Sequence, residues 1–232
     1  MTDTRRLTCP NMAFALLLTM SLPALAAEGD ASAPIPPRLD IHLFVHDDVR
    51  HYMSHERIHA GYVAWWLADM SKVVPFARIQ VRYLPPVNGV TDIPYMHDAA
   101  LGDWTHTVMA WADREGMTPT HTRKFLLITP QVPQPGASGI AWQGGSTAMA
   151  SINGRYRVVA HELGHLFGAD HEHGAVNYTG GWWCESNMYA SSLSLRGNCY
   201  TYTPENQRRM RKYIIENPGA DVGSRRGPLV AD

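Results

Sequence analysis

Cysteine is scarce in this chain: three residues in 232, at Cys9, Cys184 and Cys199. That excludes a disulfide-dense miniature scaffold and an all-cysteine metal cluster. Charge of one sign is lacking too, with 20 Lys and Arg against 21 Asp and Glu and a formal net charge of -1. Such a balance gives no electrostatic case for nucleic acid or an anionic membrane surface as partner. There is no glycine-rich phosphate loop, no G-x-S-x-G elbow and no internal repeat, so P-loop, serine-hydrolase and solenoid readings have nothing to rest on. The one long apolar run, residues 12–22, is short for a bilayer span, and Pro23 interrupts its end.

That run has another use. Arg5 and Arg6 precede it and Ala24-Leu25-Ala26 follows it. A basic start, an apolar middle and an A-x-A site read as a secretory signal peptide over residues 1–26. Residues 27–38, with Pro34, Pro36 and Pro37, read as a linker or very short propeptide. The expected address is therefore extracellular or periplasmic, with no membrane insertion after signal cleavage and a monomeric mature chain. Cys9 leaves with the signal. Cys184 and Cys199 remain as an even pair in an oxidising compartment. Joined, they would close a loop of about 15 residues, worth on the order of 3 kcal/mol.

The mature part, residues 39–218, alternates strand and helix patterns. Residues 39–45 alternate apolar and polar, predicting a strand with one buried face. Ile58, Tyr62, Trp65, Trp66 and Met70 recur at helical spacing over residues 56–74, and Pro75 stops the run. Residues 77–84 alternate again. Asp103 can cap a helix that runs to Glu115, with Gly116 past its end. Residues 124–129 are a short apolar run, the mark of a central strand. Short strands at 139–142 and 148–151 and a helix over 155–167 follow. Residues 168–203 read as irregular. Thr203 caps a last helix with Pro204 at its first position, and residues 219–232 read as a flexible tail. The order predicts an α/β sheet carrying helices, beside a loop-rich half.

Histidine is plentiful, at 12 residues. Three of them fall in His161-Glu162-Leu163-Gly164-His165-Leu166-Phe167-Gly168-Ala169-Asp170-His171. On a helix His161 and His165 share a face and can aim at one ion, while Glu162 flanks it. Gly168 can take the left-handed conformation that ends the helix and returns His171 toward the same point. Three neutral nitrogens and an open position are the catalytic arrangement for zinc, whereas structural sites close with four ligands. One Zn²⁺ is expected, with Glu162 as base.

The string H-E-x-x-H-x-x-G-x-x-H resembles the signature of metzincin zinc peptidases. The resemblance implies a twisted mixed sheet with helices above an active-site cleft, and a loop-rich C-terminal subdomain ending in one helix. It also implies an endopeptidase acting on peptide or protein substrates. Met188, in Ser186-Asn187-Met188-Tyr189, matches the methionine turn of that family. Gly139, Ile140, Ala141 and Trp142 resemble the edge strand of its adamalysin branch, along which substrate pairs as an added strand. Tyr202-Thr203-Pro204 is similar to the start of that branch's last helix. Glu172, after the third histidine, is similar to the astacin pattern instead.

Other readings compete. Glu185 could be the third ligand of a different zinc peptidase class, although Gly168 and His171 argue against it. His173 could compete with His171. A zinc-binding protein of the same fold that does not cleave would be a binding module, but it would have no need of Glu162. Trp182, Trp183 and Tyr200 are candidates for pocket walls or simple packing. His42, His46, His51, His55 and His59 could form a second metal patch, but no carboxylate or cysteine completes the set.

Overall fold

The computed structural model describes residues 36–117, 120–190, 195–216 and 229–231. The signal-peptide reading falls outside them, as does most of the 27–38 linker. β1 (Arg38–Val45) is buried on both faces from Leu39 onward, not on one face as the alternation suggested. The reason is its place in the sheet. It lies between β2 (Arg78–Tyr83) and β3 (Arg123–Thr129), parallel to both. Beyond β3 come β5 (Thr147–Ser151), also parallel, then β4 (Gly139–Trp142), antiparallel to β5. β9 (Leu229–Ala231) completes the order β2-β1-β3-β5-β4-β9. The sheet is therefore mixed, and the fold is α/β, as expected.

Each face of the sheet carries a core. Leu39, Ile41, Leu43 and Val45 of β1 and Leu126 and Ile128 of β3 share one. Phe44, Phe125 and Leu127 share the other, because side chains alternate across a strand. The second core is closed by α4 (Ala100–Arg114), whose Trp104 and Trp111 stand edge-on to Phe44. α4 begins before Asp103, so that residue sits in the first turn and not at the cap. Its negative charge still complements the helix N-terminus there.

The first core is covered by the helical stretch expected over 56–74. It is three pieces: α2 (His55–Ile58), a π-helical turn (His59–Val63) and α3 (Ala64–Val73). Ser54 caps it, its Oγ accepting the Arg57 N–H at 3.4 Å. A short α1 (Asp47–Arg50) precedes them. α6 (Pro204–Glu216) also packs here through Met210 and Ile214. Thr203 Oγ1 accepts from Asn206 N at 3.3 Å, the cap its position suggested.

Two expectations need correction. The stretch 168–203 is not wholly irregular: β6 (Val176–Thr179), β7 (Trp182–Glu185) and β8 (Gly197–Asn198) form a second, three-stranded sheet. Cys184 and Cys199 are joined across it. The stretch 219–232 is not wholly tail, since Leu229–Ala231 pairs with β4. Among the described residues no helix is long and apolar enough to cross a membrane.

His42 shows what burial in β1 does to a titrating group. Its ring packs on Phe125 at 5.2 Å and its pKa is pushed down to about 4, by burial first and by Arg123 next. The unfolded chain titrates near 6.5. Between those values the unfolded state binds more protons, so stability rises with pH there. The His42 contribution is intact above about pH 6.5 and is lost as pH falls toward 4. Thermal denaturation across that window should show a shallower pH slope in His42→Gln than in the parent chain; equal slopes would refute the assignment.

Candidate metal centre

α5 (Val158–Leu166) is buried along its whole length. Val159, Leu163 and Leu166 face the first core, which leaves the opposite side for His161 and His165. The helix ends as its sequence suggested. Gly168 has φ +85°, where a side chain would be strained. Its N–H bonds to His165 O at 3.0 Å, and Ala169 N–H bonds to Gly164 O at 2.9 Å. That pair of bonds is the Schellman closure, and it turns the chain so that His171 comes back toward α5.

The three imidazoles meet. His161 Nε2 lies 2.9 Å from His171 Nε2 and 3.1 Å from His165 Nε2, and the third side of the triangle is 2.9 Å. His161 and His165 are almost fully buried. His161 Nδ1 donates to the Asn187 carbonyl at 2.6 Å. His165 Nδ1 donates to Gln143 Oε1 at 2.8 Å and lies 3.3 Å from Ala169 O. A neutral imidazole that donates from Nδ1 carries its lone pair on Nε2. Two such lone pairs face each other across this triangle, an arrangement that a shared cation stabilises and that water-free burial alone would penalise. Zn–N bonds of about 2.0–2.1 Å can span a triangle of that size, so the donor set fits one zinc ion.

Glu162 is fully buried beside them. It packs against Gly139 of β4 so closely that a Cβ there would collide with the carboxylate. The glycine in that strand is therefore the space Glu162 occupies. A cavity of about 100 Å³ adjoins His161 and Glu162, with Ser138, Arg155, Arg157 and Tyr189 among its walls.

Met188 lies under the helix. Tyr189 N–H bonds to Ser186 O at 3.1 Å, which makes the turn, and Met188 is fully buried within it. Arg157 fastens the turn from above, donating to Ser186 O at 3.1 Å and Tyr189 O at 2.9 Å. Gly164 gives the methionine room: an added Cβ would meet Met188 Sδ and Tyr202 Cε1 well inside contact distance. Gly164→Ala gains about 1 kcal/mol of helix propensity but overpacks at a cost of about 1–3 kcal/mol. We expect a net loss of stability, measurable by denaturant titration; a gain would mean that the turn yields freely.

Residues that residue spacing did not point to complete the frame. Gln143 holds His165 and also donates from Nε2 to Ala169 O at 2.8 Å. Tyr202 donates to Ala160 O and accepts from Trp66 Nε1 at 3.0 Å. Burial raises its pKa well above the ordinary tyrosine value, so its hydroxyl stays protonated. Because partners that orient a ligand typically account for 10–100-fold in metal affinity, Gln143→Ala should weaken zinc binding by about that factor; unchanged affinity in a competition titration would remove Gln143 from the site.

The competing candidates lie elsewhere. Glu185 is fully buried among Arg155, Arg157 and Arg196, at 3.1, 3.0 and 3.7 Å, and not with the imidazoles. His173 pairs with Asp170. Asp170, Glu172 and His173 are close enough together to form a second, more exposed group, but Arg209 already holds Asp170 at 2.8 Å. Trp182 and Trp183 are exposed on the small sheet, and Tyr200 packs on Trp65. His55 and His59 contact Tyr83. Among the described residues the 42–59 histidines form no metal-holding group.

No protein-family model matches the chain, and no curated protein matches it in sequence. Solved structures do. Metalloproteinase-II from Bacteroides fragilis aligns with a TM-score of 0.50 and 15% identity over 79% of this chain and 55% of that one. The chain thus spans about half the length of that protein. Archaemetzincin from Methanopyrus kandleri aligns with a TM-score of 0.42 and 16% identity over 76% of this chain and 96% of that one. The first of these likenesses establishes a fold shared with a metalloproteinase, and the converging histidines sit within it.

Proposed function

We propose that the chain is a secreted zinc-dependent endopeptidase with a catalytic domain over residues 39–218. The observation that carries this reading is the imidazole triangle, with two lone pairs fixed inward by Asn187 and Gln143 and a buried carboxylate one residue away. His161, His165 and His171 would hold a single zinc ion. Bound there, zinc supplies positive charge that polarises a scissile carbonyl and lowers the pKa of water.

The chain's own residues do the rest. Glu162 accepts a proton from the attacking water and delivers it to the leaving amine. Gly139, Ile140, Ala141 and Trp142 offer main-chain hydrogen bonds to an extended peptide, which sets its direction past Glu162. The Met188 turn would support the site through the neighbouring Asn187 carbonyl, which accepts from His161 Nδ1. A signal peptide over residues 1–26 and the Cys184–Cys199 bridge agree with an oxidising destination. Glu162 counts against a non-catalytic binding module.

A quenched-fluorescence peptide library tests the proposal. Cleavage is expected with one equivalent of zinc, its loss with a chelator, and its return when zinc is added back. A zinc-loaded, folded chain that cleaves nothing in the library, both with residues 229–231 in place and with them replaced by glycine, would contradict it.

A further inference from the structure

The strand proposed to receive substrate already has a partner from the same chain. β4 pairs on one side with β5, which leaves its other edge for any added strand. β9 lies along that edge, antiparallel, with Leu229 opposite Trp142, Val230 opposite Ala141 and Ala231 opposite Ile140. The strand therefore runs from Trp142 toward Gly139, the residue against which the Glu162 carboxylate packs. An extended peptide bound by strand addition would have to take this same ladder.

We propose that Leu229–Ala231 is a built-in occupant of the substrate edge, which holds the chain in a self-inhibited state until the segment leaves or a substrate strand displaces it. The inference rests on the peptidase reading for what is inhibited, but the occupancy itself does not. A three-residue ladder offers few hydrogen bonds, so a detached strand of this length would bind weakly. Joined to α6 through residues 217–228, it competes at an effective concentration that can reach the millimolar range. That is enough to cover the edge while leaving it displaceable.

The test keeps the full chain and does not depend on turnover. Neighbouring N–H groups in a strand point to opposite sides, so Val230→Pro with Ala231→Pro removes one ladder donor whichever faces β4. A second variant replaces residues 229–231 with glycine. Both are made in the Glu162→Gln background. Hydrogen exchange of the 139–142 amides should speed up at least about 10-fold in each variant, while protection of 126–128 in β3 stays unchanged and reports an intact fold. A labelled Gly-Pro-Leu-Val-Ala peptide should bind each variant at least about 10-fold more tightly than the chain with its own segment in place, the same order as a 1.4 kcal/mol change. Equal exchange and equal peptide affinity in the three chains would overturn the proposal. Restoring Glu162 then separates the two readings: faster cleavage in the freed chains supports both. Freed exchange and tighter binding without any cleavage would leave the occupancy standing and sink the peptidase assignment.

Discussion

Exchanging Glu162 for glutamine is expected to lower peptide cleavage by about 10²–10⁴-fold, the range for losing a positioned proton acceptor, while fold and zinc content stay as they are. The reasoning is local. The side chain is buried between α5 and β4, and glutamine has nearly the same shape, so Gly139 still accommodates it. Two of the three imidazoles take their orientation from Asn187 and Gln143, which the substitution leaves in place. What the amide cannot do is accept a proton near neutral pH. Initial rates on a cleaved library peptide, with metal content measured on the same sample, would check this. Full activity in the variant would remove Glu162 from the chemistry even if zinc remained.

Replacing both Cys184 and Cys199 with serine is expected to cost on the order of 3 kcal/mol. For a domain of this size that lowers the melting temperature by roughly 6–12 °C. The bridge ties β7 to the chain just after β8. Its backbone neighbours are Cys199 N–H to Glu185 O at 2.9 Å and Asn187 N–H to Thr201 O at 2.9 Å. Those contacts lead straight into the turn that carries Asn187 and Met188. Loss of the bridge should therefore loosen the floor of the metal centre as well as the small sheet. Scanning calorimetry of the double variant gives the magnitude, and an unchanged melting temperature would show that the local hydrogen bonds suffice without it.

The part of the site built on one helix was legible in the residues because helical geometry is periodic. Four-residue spacing put His161 and His165 on one face, and Gly168 announced the turn that returns His171. Of the parallel strands, β3 was legible as an apolar run and β1 as an alternating one, although β1 proved buried on both faces once its neighbours were known. What could not be read were contacts made through backbone atoms or across distant segments. The Asn187 carbonyl, the Arg157 clamp on Ser186 and Tyr189, and the placement of Gln143 leave no pattern in spacing. The small sheet escaped for a different reason. Its strands expose Tyr178, Trp182 and Trp183 and bury Glu185, so no apolar alternation marks them. β9 escaped because three residues among glycines and prolines carry no periodic signal. Only its pairing with β4 reveals it.

The most direct measurement is a zinc titration of the metal-free chain against a chromophoric chelator, repeated for His161→Ala, His165→Ala and His171→Ala. The expected result is an end point of one ion per chain, with affinity sharply reduced in every variant. An end point and affinity that all three substitutions leave unchanged would mean that the imidazole triangle does not hold the ion, and the peptidase proposal would lose its foundation.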